Sequence, residues 1–446
     1  MEAEQSINDN GANSCIGMHA MKKRILNAFL ATVILGLLLV GTMQFRPVQA
    51  STSVTGIISS DTSWTRANSP YRLTGPVGIE KDVTLNIEPG VQVYFDDHYM
   101  QVNGTLVARG SDNAPLSFLT GEGHTSEIIF KPSSKNWDEK TGTGSIIENG
   151  NIPSNSFKIT INSASPKIAA TYSQALITIN GGSPLIVNNR FSGHITIKNG
   201  TPIISNNIII DSRVIVENGS PKILNNTMQA SPTCVEVTGG NPHILNNDIT
   251  GFSVGISATS GIIERNYIHG GPVGIEIGDG VVRNNTIQSG KGILVQVSSK
   301  PAISYNNIPF ATVGESGGIS LTEGANQVVN AADNWWGTTD EAAISESIFD
   351  SRKDFSLGTV NFVPFLTEPN PMAMPDPNII IPNLNGSSSS NTSSPSENPQ
   401  ASTPDHSVKQ NTPETDLYGI AVAAIILATA IALFAVGIVL LNRKKP

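Results

Sequence analysis

The sequence predicts an all-β protein, a parallel β-helix solenoid. Three observations point there: a repeat with a period near 20 residues, short alternating apolar stretches within it, and an asparagine column in one turn of each repeat. The clearest unit reads Gly-x-Pro, an aliphatic pair, Asn-Asn and an apolar residue. It occurs as Gly182-Ser183-Pro184-Leu185-Ile186-Val187-Asn188-Asn189-Arg190-Phe191 and returns from Gly200, Gly219 and Gly240. Weaker copies end in Asn266-Tyr267-Ile268, Asn285-Thr286-Ile287 and Asn306-Asn307-Ile308.

Before each proline, aliphatic residues alternate as in a half-buried strand. Ile177/Ile179, Ile195/Ile197, Val214/Val216 and Val235/Val237 take the inward places, and Thr178, Thr196, Ile215 and Glu236 face outward between them. Ile186, Ile204, Ile223 and Ile244 form a second inward stack. Phe191, Ile209, Met228, Ile249, Ile268, Ile287 and Ile308 form a third. A period this short suits one solenoid coil and excludes helical repeats of 34 or more residues.

The asparagine column runs Asn189, Asn207, Asn226, Asn247, Asn266, Asn285, Asn306, with steps of 18, 19, 21, 19, 19 and 21. A half-buried amide is costly unless bonded. Stacked coil on coil, each side chain can bond its neighbour, and Asn tolerates the left-handed backbone of a sharp turn. The ladder is therefore read as structural.

An open solenoid exposes strand edges at its ends and needs caps. Residues 51–160, with strands at Val83–Ile87, Val91–Phe95 and Thr105–Ala108, are read as an N-terminal cap and first coils, and 161–334 as the repeats. Residues 335–370 form the closing cap. There Thr338-Thr339-Asp340-Glu341 reads as a capping box opening a short helix through Phe349. Trp335, Trp336, Phe355, Phe362 and Phe365 would make its aromatic lid.

Composition narrows the function. The 446 residues include 41 Gly and 42 Asn but only 14% charged residues, which argues against coiled coils and helical bundles. A net charge of −9 argues against nucleic acid as a partner. Met21-Lys22-Lys23-Arg24, an apolar run from Ile25 to Gly41 and Val48-Gln49-Ala50 read as a secretory signal over 21–50, cut after Ala50. Loss of Cys15 with it leaves Cys234 alone, so no intrachain disulfide is expected. Residues 371–415, rich in Ser, Pro, Asn and Thr, read as a disordered stalk with sequons at Asn385 and Asn391. Leu417–Leu441 is 25 residues without a charge, about 37 Å of helix. With Arg443, Lys444 and Lys445 behind it, residues 416–446 read as a single-pass membrane helix and cytoplasmic tail, the body lying outside the cell.

The Pro-x-Ile-x-x-Asn-Asn unit resembles the right-handed parallel β-helix repeat of pectate lyases, polygalacturonases and NosD-like carbohydrate-binding and sugar-hydrolase domains. Ile87-Glu88-Pro89-Gly90-Val91 and Asn334-Trp335-Trp336-Gly337 are similar to the opening and closing motifs of secreted β-helix proteins on cell surfaces. The resemblance covers about residues 55–370 and implies the right-handed fold, with one fold hosting many functions. The paired aspartates of polygalacturonases have one counterpart, Asp96-Asp97, which falls outside the repeats. Gly193-His194-Ile195 stands where those enzymes carry Gly-His-Gly. The NosD likeness implies copper delivery, yet Met and Cys are scarce and His98, His124, His194, His243 and His269 are scattered.

The outward column of the strand before each turn gives Thr196, Ile215, Glu236, Ser257 and Glu276. Glu236 and Glu276 sit two coils apart, about 9.6 Å at a 4.8 Å rise, close to the spacing of roughly 6.5–9.5 Å in inverting glycosidases. The plainer reading makes both solvated surface charges, Lys198 and Glu217 a surface ion pair, and Cys234 a small, partly buried residue. No metal or cofactor is expected. The sequence thus leans toward a cell-surface β-helix, structural or binding extracellular polysaccharide through Thr, Asn, Ser and aromatics such as Tyr267 and Tyr305. A lyase, hydrolase or epimerase acting on acidic glycans is the alternative, and a copper accessory protein the second.

Overall fold

The computed structural model describes residues 30–32, 51–121, 123–230, 232–309 and 317–376. The signal segment (apart from 30–32), the stalk beyond 376 and Leu417–Leu441 lie outside them. No helix among the described residues is long and apolar enough to cross a membrane.

From Thr52 onward the chain winds into coils with three faces, and successive coils pair in parallel. The first face holds strands such as Leu176–Asn180, Ile195–Asn199, Val214–Val216 and Thr233–Val237. The second is a twelve-stranded sheet running from Thr62–Trp64 to Ala302–Ser304. The third holds strands such as Ile208–Ile210, Thr227–Gln229 and Asp248–Thr250. First and third faces merge at the N-terminal end, where the long strand Tyr71–Ile79 pairs through its first residues with Gln92–Tyr94 and through its last with Tyr99–Val102 of the next coil. Twelve strands at about 4.8 Å spacing make a rod of roughly 53 Å.

All three predicted inward stacks lie in the core. Ile186, Ile204, Ile223 and Ile244 are fully buried, and so are Ile209, Met228, Ile249, Ile268, Ile287 and Ile308. Residues 51–160 already belong to the coils: Phe95, Phe118 and Phe157 fill their interior, with ring centroids 4.9–6.2 Å apart. Each repeat glycine stands at the corner before its proline. Gly219 has φ 91°, and a Cβ there would meet the Gly200 carbonyl oxygen at 2.3 Å, so only glycine stacks on glycine. Each proline opens a second-face strand, where its carbonyl accepts from the next coil, as Pro202 does from Lys222 at 2.9 Å.

The closing segment differs from the expectation in three respects. The helix spans Glu341–Ser347 and its cap is Asp340, whose carboxylate accepts from the backbone N–H groups of Ala342 and Ala343. Thr338, the expected cap, accepts from the Asp340 N–H instead. Ile344, Ile348 and Trp336 are buried and Trp336 meets Phe362 edge-on, but Phe355 is 96% exposed and takes no part in the lid. Residues 371–376, expected in the stalk, are bound to the solenoid. Asn370, Ala373 and Asp376 hydrogen-bond to Asn307, Thr286 and Asn246.

Candidate functional site

The asparagine-rich turn divides its work between two adjacent positions. The first asparagine of each pair carries the left-handed backbone: Asn188, Asn206, Asn225, Asn246 and Asn284 have φ of 53–62°. The second forms the ladder. The backbone N–H and Nδ2 of Asn207 both donate to Asn226 Oδ1 at 3.0 Å, and Asn207 Nδ2 also donates to the Ile186 carbonyl. The same pattern joins Asn189, Asn207, Asn226, Asn247, Asn266, Asn285 and Asn306, each no more than 2% exposed. Asn334 is an eighth rung, absent from the predicted column because its step is 28 residues.

Glu236 and Glu276 occupy the expected column, since Glu236 pairs in register with Ser257 and Ser257 with Glu276. Each has other partners. Arg213 Nη1 donates to Glu236 at 2.9 Å, while Glu276 accepts from Ser257 Oγ and Gln296 Nε2. Asp96 and Asp97 sit in a left-handed turn, φ 42° and 64°. Asp96 pairs with Arg72. Asp97 accepts from the Thr125 N–H at 2.8 Å and meets His124, contacts that hold its carboxyl below the usual range. The four carboxylates thus fall in two places, Asp96 and Asp97 in the early coils, Glu236 and Glu276 in later ones.

Lys198 and Glu217 do not pair. Asn180 aligns with Asn199 rather than Lys198, so Lys198 is the extra residue of a bulge and leaves the column. Cys234 is fully buried, not partly so, and burial pushes its thiol up to about 12, which removes it as a nucleophile. Among the described residues no group of three or more His, Cys, Asp and Glu side chains could hold a metal ion.

The third face gathers a more promising set. Outward positions there run Thr227, Asp248, Tyr267, Thr286 in one register column and Gln229, Thr250, His269, Gln288 in the next. The Tyr267 and His269 rings stack at 4.3 Å between centroids. Tyr267 Oη donates to Gln288 Oε1 at 3.0 Å, and His269 Nε2 lies 2.9 Å from Asp248 Oδ1. Both rings are half-buried, and Gln229 and Gln288 are exposed. Tyr305 does not join them. It holds the left-handed turn position before the ladder, φ 58°, beside a groove of about 410 Å³ lined also by Lys300, Val328 and Asp333. The pairing of Tyr267 with His269 was hidden in the sequence because Ile268 separates them; only the period-2 outward alternation brings them together.

Residues 212–336 match the family described as right handed beta helix region. The solenoid is a right-handed parallel β-helix. No curated protein and no solved structure matches the chain. The matched part of the β-helix contains Glu236, Glu276, the later ladder rungs and the Tyr267–His269 pair, while Asp96 and Asp97 fall outside it.

Proposed function

We propose that the protein is a membrane-anchored ectodomain, held outside the cell by Leu417–Leu441 on a stalk, whose third face binds polysaccharide. The observation that carries this reading is the Tyr267–His269 stack flanked by hydroxyl, amide and carboxylate groups. Sugar rings offer apolar C–H faces to aromatics and hydroxyls to just such polar groups. The platform is pre-set, because stacking and the Gln288 bond fix Tyr267 before any ligand arrives, so little side-chain freedom is lost on binding. Repetition along the rod suits a repetitive ligand. Glu236 and Glu276, each engaged by neighbours, serve better as surface polar groups than as an acid and a base across one sugar.

A glycan array probed with the detergent-solubilised full chain tests this reading. Tyr267→Ala should weaken binding by about tenfold, equivalent to about 1.4 kcal/mol, with only a small fall in melting temperature because the ring is half-exposed and its loss leaves the buried stacks intact. Binding that is indifferent to Tyr267→Ala would count against the third face. Release of reducing or unsaturated sugar ends by the unmodified protein would make it an enzyme instead.

A further inference from the structure

The two ends of the β-helix differ. At the C-terminal end the last first-face strand, Ile319–Leu321, bonds to the closing segment: the Gly318 and Leu321 N–H groups donate to the carbonyls of Ser347 and Phe349. At the N-terminal end the first coil consists of Thr52–Ile58 and Thr62–Trp64, each paired on one side only among the described residues. Residues 52–54 lie on the third face, 56–58 on the first and 62–64 on the second. The Thr52 N–H donates to the Pro70 carbonyl at 2.8 Å, and the carbonyls of Ile58 and Trp64 accept from Glu80 and Glu88 at 3.0 Å, all toward the second coil. Successive strand residues bond to opposite sides, so Ser53, Ile57 and Ser63, one on each face, turn N–H and C=O toward the open end.

This end carries none of the devices that blunt an edge, since neither strand holds a charge or a proline. Ile57 is 76% exposed. Val54 and Ile58 are half-buried, whereas Leu73 and Ile79, their register partners in the second coil, are buried. The stacked Trp64 and Tyr71 rings close the centre, so what stays open is a ring of backbone edge. Only another strand pairs with such an edge in register. With the signal cut after Ala50, as read from the sequence, the mature chain has only Ser51 ahead of Thr52 and cannot supply one. A second copy can. A two-fold axis across the rod and through the first face reverses the sense of winding, so each face meets the other chain antiparallel, first on first and third on second. Ile57 then stands opposite Ile57 of the second copy, and Ser53 opposite Ser63, each pair exchanging its N–H···O bonds. The same contact covers Val54 and Ile58. We propose that two copies of the protein join end to end through their first coils. One coil end is a small face, so the pair belongs with contacts below about 1,200 Å² in total and forms in a concentration-dependent way. The inference rests on cleavage of the signal and not on the sugar platform.

Cross-linking of the full chain in detergent tests it, with Cys15→Ser to remove the other thiol; Cys234 is fully buried. With a short bismaleimide, Ile57→Cys should give covalent dimers. A mixture of Ser53→Cys chains with Ser63→Cys chains should do so too. Either of these alone should give at least about tenfold less, because the two-fold axis sets like positions on different faces. Phe355→Cys, 96% exposed at the far end, should give none. Equal yields from Ile57→Cys and Phe355→Cys, or none from Ile57→Cys, would overturn the interface. Sedimentation equilibrium gives a check that needs no cysteine. The unmodified chain should show a monomer–dimer equilibrium. Ile57→Lys sets like charges opposite each other and should weaken it at least about tenfold, with the β-sheet circular dichroism signal intact. A dimer indifferent to Ile57→Lys joins elsewhere and refutes the proposal, as does a chain that stays monomeric at the highest concentration reached.

Discussion

Asn226 stands mid-ladder, where its Oδ1 receives two buried donors from Asn207 and its Nδ2 supplies Asn247 and the Ile204 carbonyl. Replacing it with Leu orphans both donors of Asn207. A buried polar group left unpaired costs about 1–3 kcal/mol, so Asn226→Leu should lose about 2–6 kcal/mol in chemical denaturation. Asn391→Leu, in the proposed stalk, should leave stability unchanged, and equal losses in the two variants would contradict a structural ladder. The repeat pattern located this turn but not its division of labour. Left-handed tolerance and amide stacking both select asparagine, so the pair Asn225-Asn226 looks uniform until backbone angles separate the two positions. Arg265 and Tyr305 occupy the first position elsewhere, whereas the rung stays asparagine from Asn189 to Asn334. The amide is the stricter requirement.

At the level of elements, the closing segment hangs on Asp350. Its side chain is fully buried, accepts from the N–H groups of Val360 and Arg352, and pairs with the Arg352 guanidinium. Burial by itself would raise this carboxyl; the Arg352 and backbone bonds outweigh it and hold it below its ordinary value of 3.8. A depressed folded value means that the contribution is fully present above pH 3.8 and is lost as pH falls through the lower folded value. Hydrogen exchange in the Thr359–Asn361 strand, which pairs with Val328–Asn330, should therefore rise in that acid window before exchange in the central coils does. Simultaneous loss of protection in both would show that Asp350 does not control this element. Strands and inward stacks were legible because they rest on period-2 alternation, which is local. The helix cap and the Phe355 position were less so, since Thr338 and Asp340 both satisfy a cap pattern and an aromatic residue can be left in solvent where the core is already filled. The bulge that removes Lys198 from its column has no signature in the repeat spacing.

For the whole molecule, the twelve-stranded sheet runs unbroken among the described residues from Thr62–Trp64 to Ala302–Ser304, and each inner coil rests on its two neighbours. Such a rod should resist proteases along its length, with vulnerable chain only where residues leave the coils. On the proposed orientation, the signal carries the body across the membrane, and the basic residues Arg443, Lys444 and Lys445 keep the far end in the cytoplasm. Protease added to intact cells should then cut between about residues 387 and 415 and release the β-helix as one large fragment. The hydrophobic C-terminal piece should stay with the membrane. Release of a single large fragment fits a continuous rod on an exposed tether, and a ladder of small fragments would mean the coils are not one cooperative body. A β-helix wholly protected until the cells are broken would place it on the other side of the membrane, because positive charge flanking the last apolar run would then not have set its direction.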